Sequence, residues 1–270
     1  MLINQSVFRC AREVNDFSNL RITYIQTLSD TTQNRKRALK EDYYFDCQCQ
    51  KCQNVQDDQA KSSFICSQCC QGCVPVATKN CLECQFTNDD GMVQKHAKIV
   101  KKINLALSDK MDNDQALIEL AQEAANVLHP IDNVYGKLLG VLFERCQARN
   151  NQEKCLEFGK LIQMNLKHCN GRFDSNTINN EMTLAILSTN LNLLEEARLY
   201  LQNVKHTLEI AFGAEHSKVR VDCKKINDLI EKKRQMLMDN PQKWNIFSYF
   251  SYPITLLFQK VFLSYMNSII

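Results

Sequence analysis

Glycine and proline are scarce in this chain, which has seven glycines and four prolines among 270 residues. Both residues mark tight turns, so their scarcity argues against a β-rich fold and favours long helices. Apolar residues make up 44% and charged residues 23%, an ordinary globular composition that excludes a disordered chain. The sequence therefore predicts a mainly α-helical protein.

A strong net charge is also lacking, since 33 lysines and arginines face 30 aspartates and glutamates. This balance gives no reason to expect a specific nucleic-acid partner. One short run is locally basic, and we expect it to be a solvated helix face: Arg35, Lys36, Arg37 and Lys40.

Motifs of hydrolytic and nucleotide-dependent catalysis are missing: the sequence has no H-E-x-x-H, no glycine-rich phosphate loop and no G-x-S-x-G. The five histidines stand apart from one another in helical sequence. We expect each on a helix surface rather than at a metal: His96, His129, His168, His206 and His216.

Cysteine, in contrast, is abundant, and ten of the fourteen cysteines fall before residue 85. The N-terminal residues contain no long apolar signal segment, so we expect reduced thiols in a cytoplasmic or nuclear protein rather than a secreted disulfide scaffold. The remaining four have no partner at ligand spacing and are expected to be core or surface thiols: Cys146, Cys155, Cys169 and Cys223.

The first cysteine group lies in DYYFDCQCQKC, where Cys47, Cys49 and Cys52 form C-x-C-x2-C. A structural zinc ion takes four ligands, so this motif is one ligand short. Cys10 is one unassigned candidate for the fourth position, and we expect it to be a poor substitute.

The second group contains two C-x2-C pairs eleven residues apart: Cys66, Cys69, Cys81 and Cys84. Such pairs form zinc knuckles, so this segment predicts a small zinc ribbon that needs its metal to fold. Cys70 and Cys73 form an overlapping pair, so the ligand set could shift; redox-active or unpaired thiols are another alternative. No general base accompanies either group, and any zinc is expected to be structural.

From Gly91 to about Met238 the apolar spacing is helical, with a repeat of period near 40. Segments 153–171 and 195–213 align without a gap, and a weaker copy covers 112–130. Paired helices at this period indicate a tetratricopeptide-like helical solenoid, which would bind protein or peptide partners.

These patterns divide the chain into four parts. A strand-like hairpin (7–28) and the first cysteine group occupy 1–54, the ribbon-like insert 55–90, the helical domain 91–240 and an apolar tail 241–270. Pro253 and Lys260 interrupt the tail, so a packed or poorly ordered terminus is favoured over membrane contact through 244–270.

The segment LRITYIQTLSDTTQNRKRALKEDYYFDCQCQKC (20–52) resembles the end of the SET domain and the post-SET segment of the SET-and-MYND (SMYD) protein-lysine methyltransferases. The shared order is a strand ending in tyrosine, a basic helix, Tyr-x-Phe and C-x-C-x2-C. The helical remainder is similar to that family's C-terminal domain, and the second cysteine group looks like an insertion in some members. The resemblance implies an incomplete SET β-hairpin and zinc segments before a helical solenoid.

Members of that family transfer a methyl group from S-adenosylmethionine to a lysine amine. By resemblance, Tyr24 orients the lysine and the methyl group, Tyr43 lines the lysine channel and Phe45 stacks on the adenine. Tyrosine hydroxyls and aromatic faces suit these roles. Core aromatics are the alternative interpretation.

The family also has an Asn-His-Ser-Cys motif, whose Asn and His help bind the cofactor and whose Cys is the fourth zinc ligand. The present sequence contains none, and DFSN (16–19) stands where the family has Gly-Glu-Glu. The leading hypothesis is therefore that the chain is part of a SMYD-like methyltransferase and is inactive by itself. The rival hypothesis is a zinc-binding adaptor that docks partners on its helical domain.

Overall fold

Helices dominate the computed structural model, which describes residues 24–25 and 30–239. The prediction of a mainly α-helical protein is confirmed. The predicted hairpin, Cys10 and the tail lie outside the described residues, apart from Tyr24 and Ile25. Among the described residues, no helix has the length and apolar character to cross a membrane.

Three short helices and a two-stranded sheet precede a series of long helices. The first part consists of α1 (Thr32–Tyr43), α2 (Gln50–Gln53), α3 (Val55–Ala60), β1 (Ser63–Ile65) and β2 (Cys73–Pro75). The second part consists of α4 (Asp90–Ser108), α5 (Asp114–Ala125), α6 (Asn133–Ala148), α7 (Gln152–Cys169), α8 (Ser175–Asn190), α9 (Leu194–Phe212), a π-helical segment (Lys218–Cys223) and α10 (Lys224–Met238).

Five successive long helices begin in the same way, with a side-chain oxygen that accepts a hydrogen bond from a backbone amide of the first turn. This cap satisfies donors that have no partner inside the helix. The capping residues of α4 to α8 are Asp89, Asn113, Asp132, Asn151 and Asp174.

Helices α4 to α10 share one hydrophobic core. From α6 to α9 each helix packs against the next, and α10 packs on α8 and α9. The four isolated cysteines are buried, and three of them belong to this core: Cys146, Cys155 and Cys223. Leucines fill the centre of this core, and these are fully buried: Leu138, Leu139, Leu184 and Leu208.

The small sheet is joined to the helical core by backbone hydrogen bonds. Strands β1 and β2 pair antiparallel, with Phe64 opposite Val74. On the other edge of β1, the Ile65 amide donates to the Val127 carbonyl at 2.9 Å, and the His129 amide donates to the Ser63 carbonyl at 3.2 Å. The loop between α5 and α6 therefore pairs with the free edge of β1 and connects the cysteine segment to the helices.

Candidate metal centres

The four cysteines of the two C-x2-C pairs come together beside the small sheet. Their sulfur atoms all lie within 4.8 Å of one another. Cys66 Sγ is 3.6 Å from Cys84 Sγ, and Cys69 Sγ is 3.7 Å from Cys81 Sγ. Four thiolates around a tetrahedral zinc with Zn–S bonds of ~2.3 Å would stand about 3.8 Å apart. The cluster can therefore hold a metal ion, and its spacing is consistent with zinc.

Each C-x2-C pair is folded as a tight turn whose backbone amides point at sulfur. The Gln68 amide donates to Cys66 Sγ at 3.4 Å, and the Cys84 amide donates to Cys81 Sγ at 3.4 Å. The residue after each pair has a left-handed backbone, with φ of 58° at Cys70 and 62° at Gln85. The two turns thus repeat one local geometry, which brings both pairs of thiols to the same point.

Gly72 shows how closely this cradle is packed. A Cβ atom at this position would overlap Cys81 Sγ and lie 2.9 Å from Cys69 Sγ. Only glycine, which has no Cβ atom, leaves room for these two sulfur atoms.

The overlapping pair of cysteines does not join this cluster. Cys70 is exposed and follows the first turn, whereas Cys73 is buried within β2. Burial raises the pKa of the Cys73 thiol to about 11. The alternative ligand set, shifted by one pair, is therefore not the one assembled.

The thiols of the four-cysteine cluster differ in acidity. Burial raises the pKa of Cys66, but hydrogen bonds from the Cys69 and Gln68 amides and from Asn88 outweigh it and lower this pKa to about 7. Burial raises the pKa of Cys81. A bound cation would deprotonate such thiols outright, because thiolate is the form that coordinates metal.

The first cysteine group also assembles, at the start of α2. The sulfur atoms of Cys47, Cys49 and Cys52 lie within 4.8 Å of one another. The Cys52 amide donates to the Cys49 carbonyl at 2.9 Å, and this turn brings the two thiols together. Among residues 24–25 and 30–239 no fourth Cys, His, Asp or Glu joins this group, so it offers three of the four ligands that zinc takes.

The pKa values of two of these three thiols shift in opposite directions, although burial alone would raise both. At Cys49 hydrogen bonds from the Cys52 and Lys51 amides outweigh burial and lower the pKa. At Cys52 burial dominates and raises the pKa, although a hydrogen bond from Arg35 opposes it.

Arg35 corrects one prediction from the sequence. We expected the basic run on α1 to be a solvated face, and Arg37 and Lys40 are indeed exposed. Arg35 instead turns inward and is only 2% exposed.

Among the three aromatic residues assigned by resemblance, Tyr24 contacts the other two. The ring centroid of Tyr24 lies 5.2 Å from that of Tyr43 and 5.5 Å from that of Phe45. The Tyr43 hydroxyl donates to the Tyr24 carbonyl at 3.0 Å. Tyr24 and Tyr43 are each nearly half exposed, so these two are not core aromatics of the described part of the chain.

The expectation that all histidines lie on helix surfaces is wrong for two of them. His96 is buried on α4 and bonds Asp132 at 3.0 Å. His129 is buried in the loop between α5 and α6, where its Nδ1 accepts from the Ile131 amide at 3.4 Å. Neither joins a group of potential metal ligands among the described residues.

Comparison with protein-family models gives no match to this chain, and a search of curated proteins also finds no similar protein. The donor atoms of the two cysteine groups indicate which metal they would bind. Thiolate sulfur in a tetrahedral arrangement favours zinc over the hard cations magnesium and calcium, which take oxygen ligands.

Proposed function

We propose that both cysteine groups bind zinc and that the ion at each is structural. Four thiolates complete the coordination of the Cys66, Cys69, Cys81 and Cys84 centre, which leaves no open position for a substrate. The Cys47, Cys49 and Cys52 centre takes its fourth donor from beyond these three residues. Zinc at the four-cysteine centre would hold the two turns beside β1. Through β1 it would also hold the loop at 127–129.

We further propose that the chain is the post-SET, zinc-bearing and helical part of a SMYD-like protein-lysine methyltransferase. The observation that carries this proposal is the contact of Tyr24 with Tyr43 and Phe45. The resemblance assigns all three residues to one methyl-transfer site. Tyr43 lies 19 positions and Phe45 lies 21 positions after Tyr24 along the chain. Their contact supports the assignment of these three residues to one site.

Methyl transfer needs more than these residues supply. S-adenosylmethionine would stack its adenine on Phe45, but the family's Asn-His-Ser-Cys motif is missing from the 270 residues. The 270 residues alone are therefore proposed to lack activity, and S-adenosylmethionine is the cofactor of the complete enzyme.

The helical part is proposed to be a tetratricopeptide-like array with protein or peptide partners. The repeat copies at 112–130, 153–171 and 195–213 coincide with α5, α7 and α9, which are alternate helices of the series. One helix of each pair thus carries the repeat, as a helical array requires. The rival function, a zinc-binding adaptor, needs only this array and the zinc centres.

The sequence of the transcript before the Met1 codon separates the two functions. We expect an in-frame Asn-His-Ser-Cys sequence upstream, because the family's cofactor site and fourth zinc ligand require it. Transcript ends mapped to a position just before Met1, with no such sequence, would contradict the methyltransferase proposal and favour the adaptor.

Zinc content tests the metal proposal independently. Native mass spectrometry of the purified 270-residue protein should give about two zinc ions per chain, one for each cysteine group, with a donor other than the upstream cysteine completing the three-cysteine centre. The triple variant Cys47→Ser, Cys49→Ser, Cys52→Ser should retain one. A wild-type protein that is folded and free of zinc would contradict both metal assignments.

A further inference from the structure

Arg35 is the largest charged side chain that is buried in the described part of the chain, and its donors converge on the first cysteine group. Its Nη2 lies 3.8 Å from Cys52 Sγ and 3.4 Å from the Lys51 carbonyl. The same nitrogen donates to Thr32 Oγ1 at 2.8 Å, and Nη1 donates to the Asp30 carbonyl. One guanidinium thus contacts a thiol and a carbonyl of the turn that ends at Cys52.

Burial of an arginine is costly unless negative charge compensates it. The nearest carboxylate of Arg35 is Asp58, at 3.9 Å, beyond hydrogen-bond distance, and 28% exposed. This single pair compensates little of that cost. A further negative charge near the guanidinium would complete its surroundings.

The charged side chains around Arg35 indicate how much negative charge would balance them. Three cations meet here, Arg35, Lys51 and Lys61, and Lys61 has a fully buried side chain. They face two carboxylates, Asp57 and Asp58, at 3.6–3.9 Å. Three positive charges against two negative charges leave an excess of one. Three thiolates on one Zn²⁺ carry a net charge of minus one, which balances it.

We propose that Arg35 is a positioning residue of the three-cysteine zinc centre, where it donates to the metal-bound thiolate of Cys52 and fixes the α2 turn. This inference rests on the proposed zinc binding by Cys47, Cys49 and Cys52. The N–H···S contact becomes charge-assisted when Cys52 is a thiolate, and such bonds are about twice as strong as neutral ones. Partners of metal ligands commonly tune the affinity of the site in this way.

The four-cysteine centre provides an internal control. Within residues 24–25 and 30–239, the donors to its sulfur atoms are backbone amides and the Asn88 side-chain amide, which lies 3.7 Å from Cys66 Sγ, and no cation is among them. Substitution of Arg35 should therefore change one zinc centre and leave the other as it was.

The test uses the zinc-loaded 270-residue protein with Arg35→Met, Arg35→Lys and the control Arg37→Met, which removes an exposed arginine from the same helix. Zinc affinity is measured by competition with a chromophoric chelator, with the triple serine variant as the reference for the four-cysteine centre. Cobalt is then substituted for zinc, and the thiolate-to-cobalt charge-transfer band is recorded. Subtraction of the spectrum and the zinc binding of the triple serine variant leaves the contribution of the three-cysteine centre.

For Arg35→Met we expect zinc affinity at this centre to fall by about 10- to 100-fold. Its charge-transfer band should move to longer wavelength, because a nearby positive charge stabilises the sulfur electrons that are transferred. Arg35→Lys should lose less affinity and keep its band closer to that of the wild type, since it retains the charge but not the planar fork. Arg37→Met should match the wild type, and the four-cysteine centre should stay loaded in every variant.

Wild-type affinity and an unmoved band in Arg35→Met would overturn the role of Arg35. If Arg35→Met does not fold, Arg35→Lys decides, because one ammonium cannot replace both nitrogens of the fork, of which Nη1 contacts the Asp30 carbonyl and Nη2 the Cys52 turn; unchanged affinity there would also overturn it. A wild-type protein with zinc only at the four-cysteine centre would instead remove the proposed three-cysteine centre itself, and with it this inference.

Discussion

His96 Nε2 lies 3.0 Å from Oδ2 of Asp132, and both side chains are buried. The same Oδ2 accepts from the Ser63 amide at 3.1 Å, and Oδ1 accepts from the Val134 and Tyr135 amides at 2.9 and 3.1 Å. One carboxylate therefore joins α4, the first strand of the cysteine segment and the start of α6. The metal-binding segment and the helical core should therefore both lose stability when this carboxylate is removed.

Asp132→Ala should destabilise the protein by about 3–5 kcal/mol. It removes a helix cap and leaves the buried Ser63 amide and the His96 ring without their acceptor. The free energy of unfolding is measured with urea by circular dichroism.

Asp174→Ala is the matched control, because Asp174 caps α8 through the Asn176 and Thr177 amides in a partly exposed position. It should cost about 1 kcal/mol, the usual value of a cap. Equal losses in the two variants would mean that Asp132 is only a cap, and the connection to His96 and Ser63 would carry no energy.

Two helical glycines should respond to alanine in opposite directions. At Gly159 on α7, a Cβ would lie 2.8 Å from Leu184 Cδ2 and 2.9 Å from Phe143 Cε2, and Leu184 is fully buried. Overpacking of this kind costs about 1–3 kcal/mol, which exceeds the helix-propensity gain of about 1 kcal/mol. Gly159→Ala should therefore lower the midpoint of thermal unfolding.

At Gly140 on α6 nothing lies within 4 Å of the position of a Cβ. Gly140→Ala should stabilise the protein by up to about 1 kcal/mol, because alanine loses less backbone entropy in a helix. A higher unfolding midpoint in Gly159→Ala would show that α7 and α8 move apart at little cost.

Features set by a few neighbouring residues were predictable from the sequence. A C-x2-C pair contains its own turn, so the grouping of Cys66 with Cys69 and of Cys81 with Cys84 was predicted at the level of single residues. Helix α1 was expected from its polar start and its basic run, and it spans Thr32–Tyr43.

Contacts between distant residues were not predictable, since no local pattern encodes them. Arg35 looks like its exposed neighbours in the sequence, and only the fold brings it to Cys52, 17 positions away. His96 and Asp132 are 36 positions apart. A polar residue amid apolar helical spacing was the one available signal for His96, and it does not identify the partner.

His129 should make the stability of the protein depend on pH. Burial lowers its pKa to about 4 and the positive field of His168 acts in the same direction, while a hydrogen bond to the Gln71 backbone and the charge of Asp132 oppose it. An unfolded histidine has a pKa of about 6.5, so the unfolded chain binds more protons between these two values. The free energy of unfolding should thus fall as the pH drops from about 6.5 to about 4, by roughly 3 kcal/mol in total from this residue.

His129→Gln should remove this part of the pH dependence, because glutamine keeps an acceptor for the Ile131 amide and does not titrate in this range. His206→Gln, a change at an exposed histidine of α9, is the control and should leave the pH dependence as it is. Acid also protonates the cysteine ligands, but this effect is common to all three proteins and cancels in their differences. Urea unfolding at a series of pH values between 4 and 7 measures the slopes, and equal slopes in wild type and His129→Gln would show that His129 takes up its proton without opening the loop between α5 and α6.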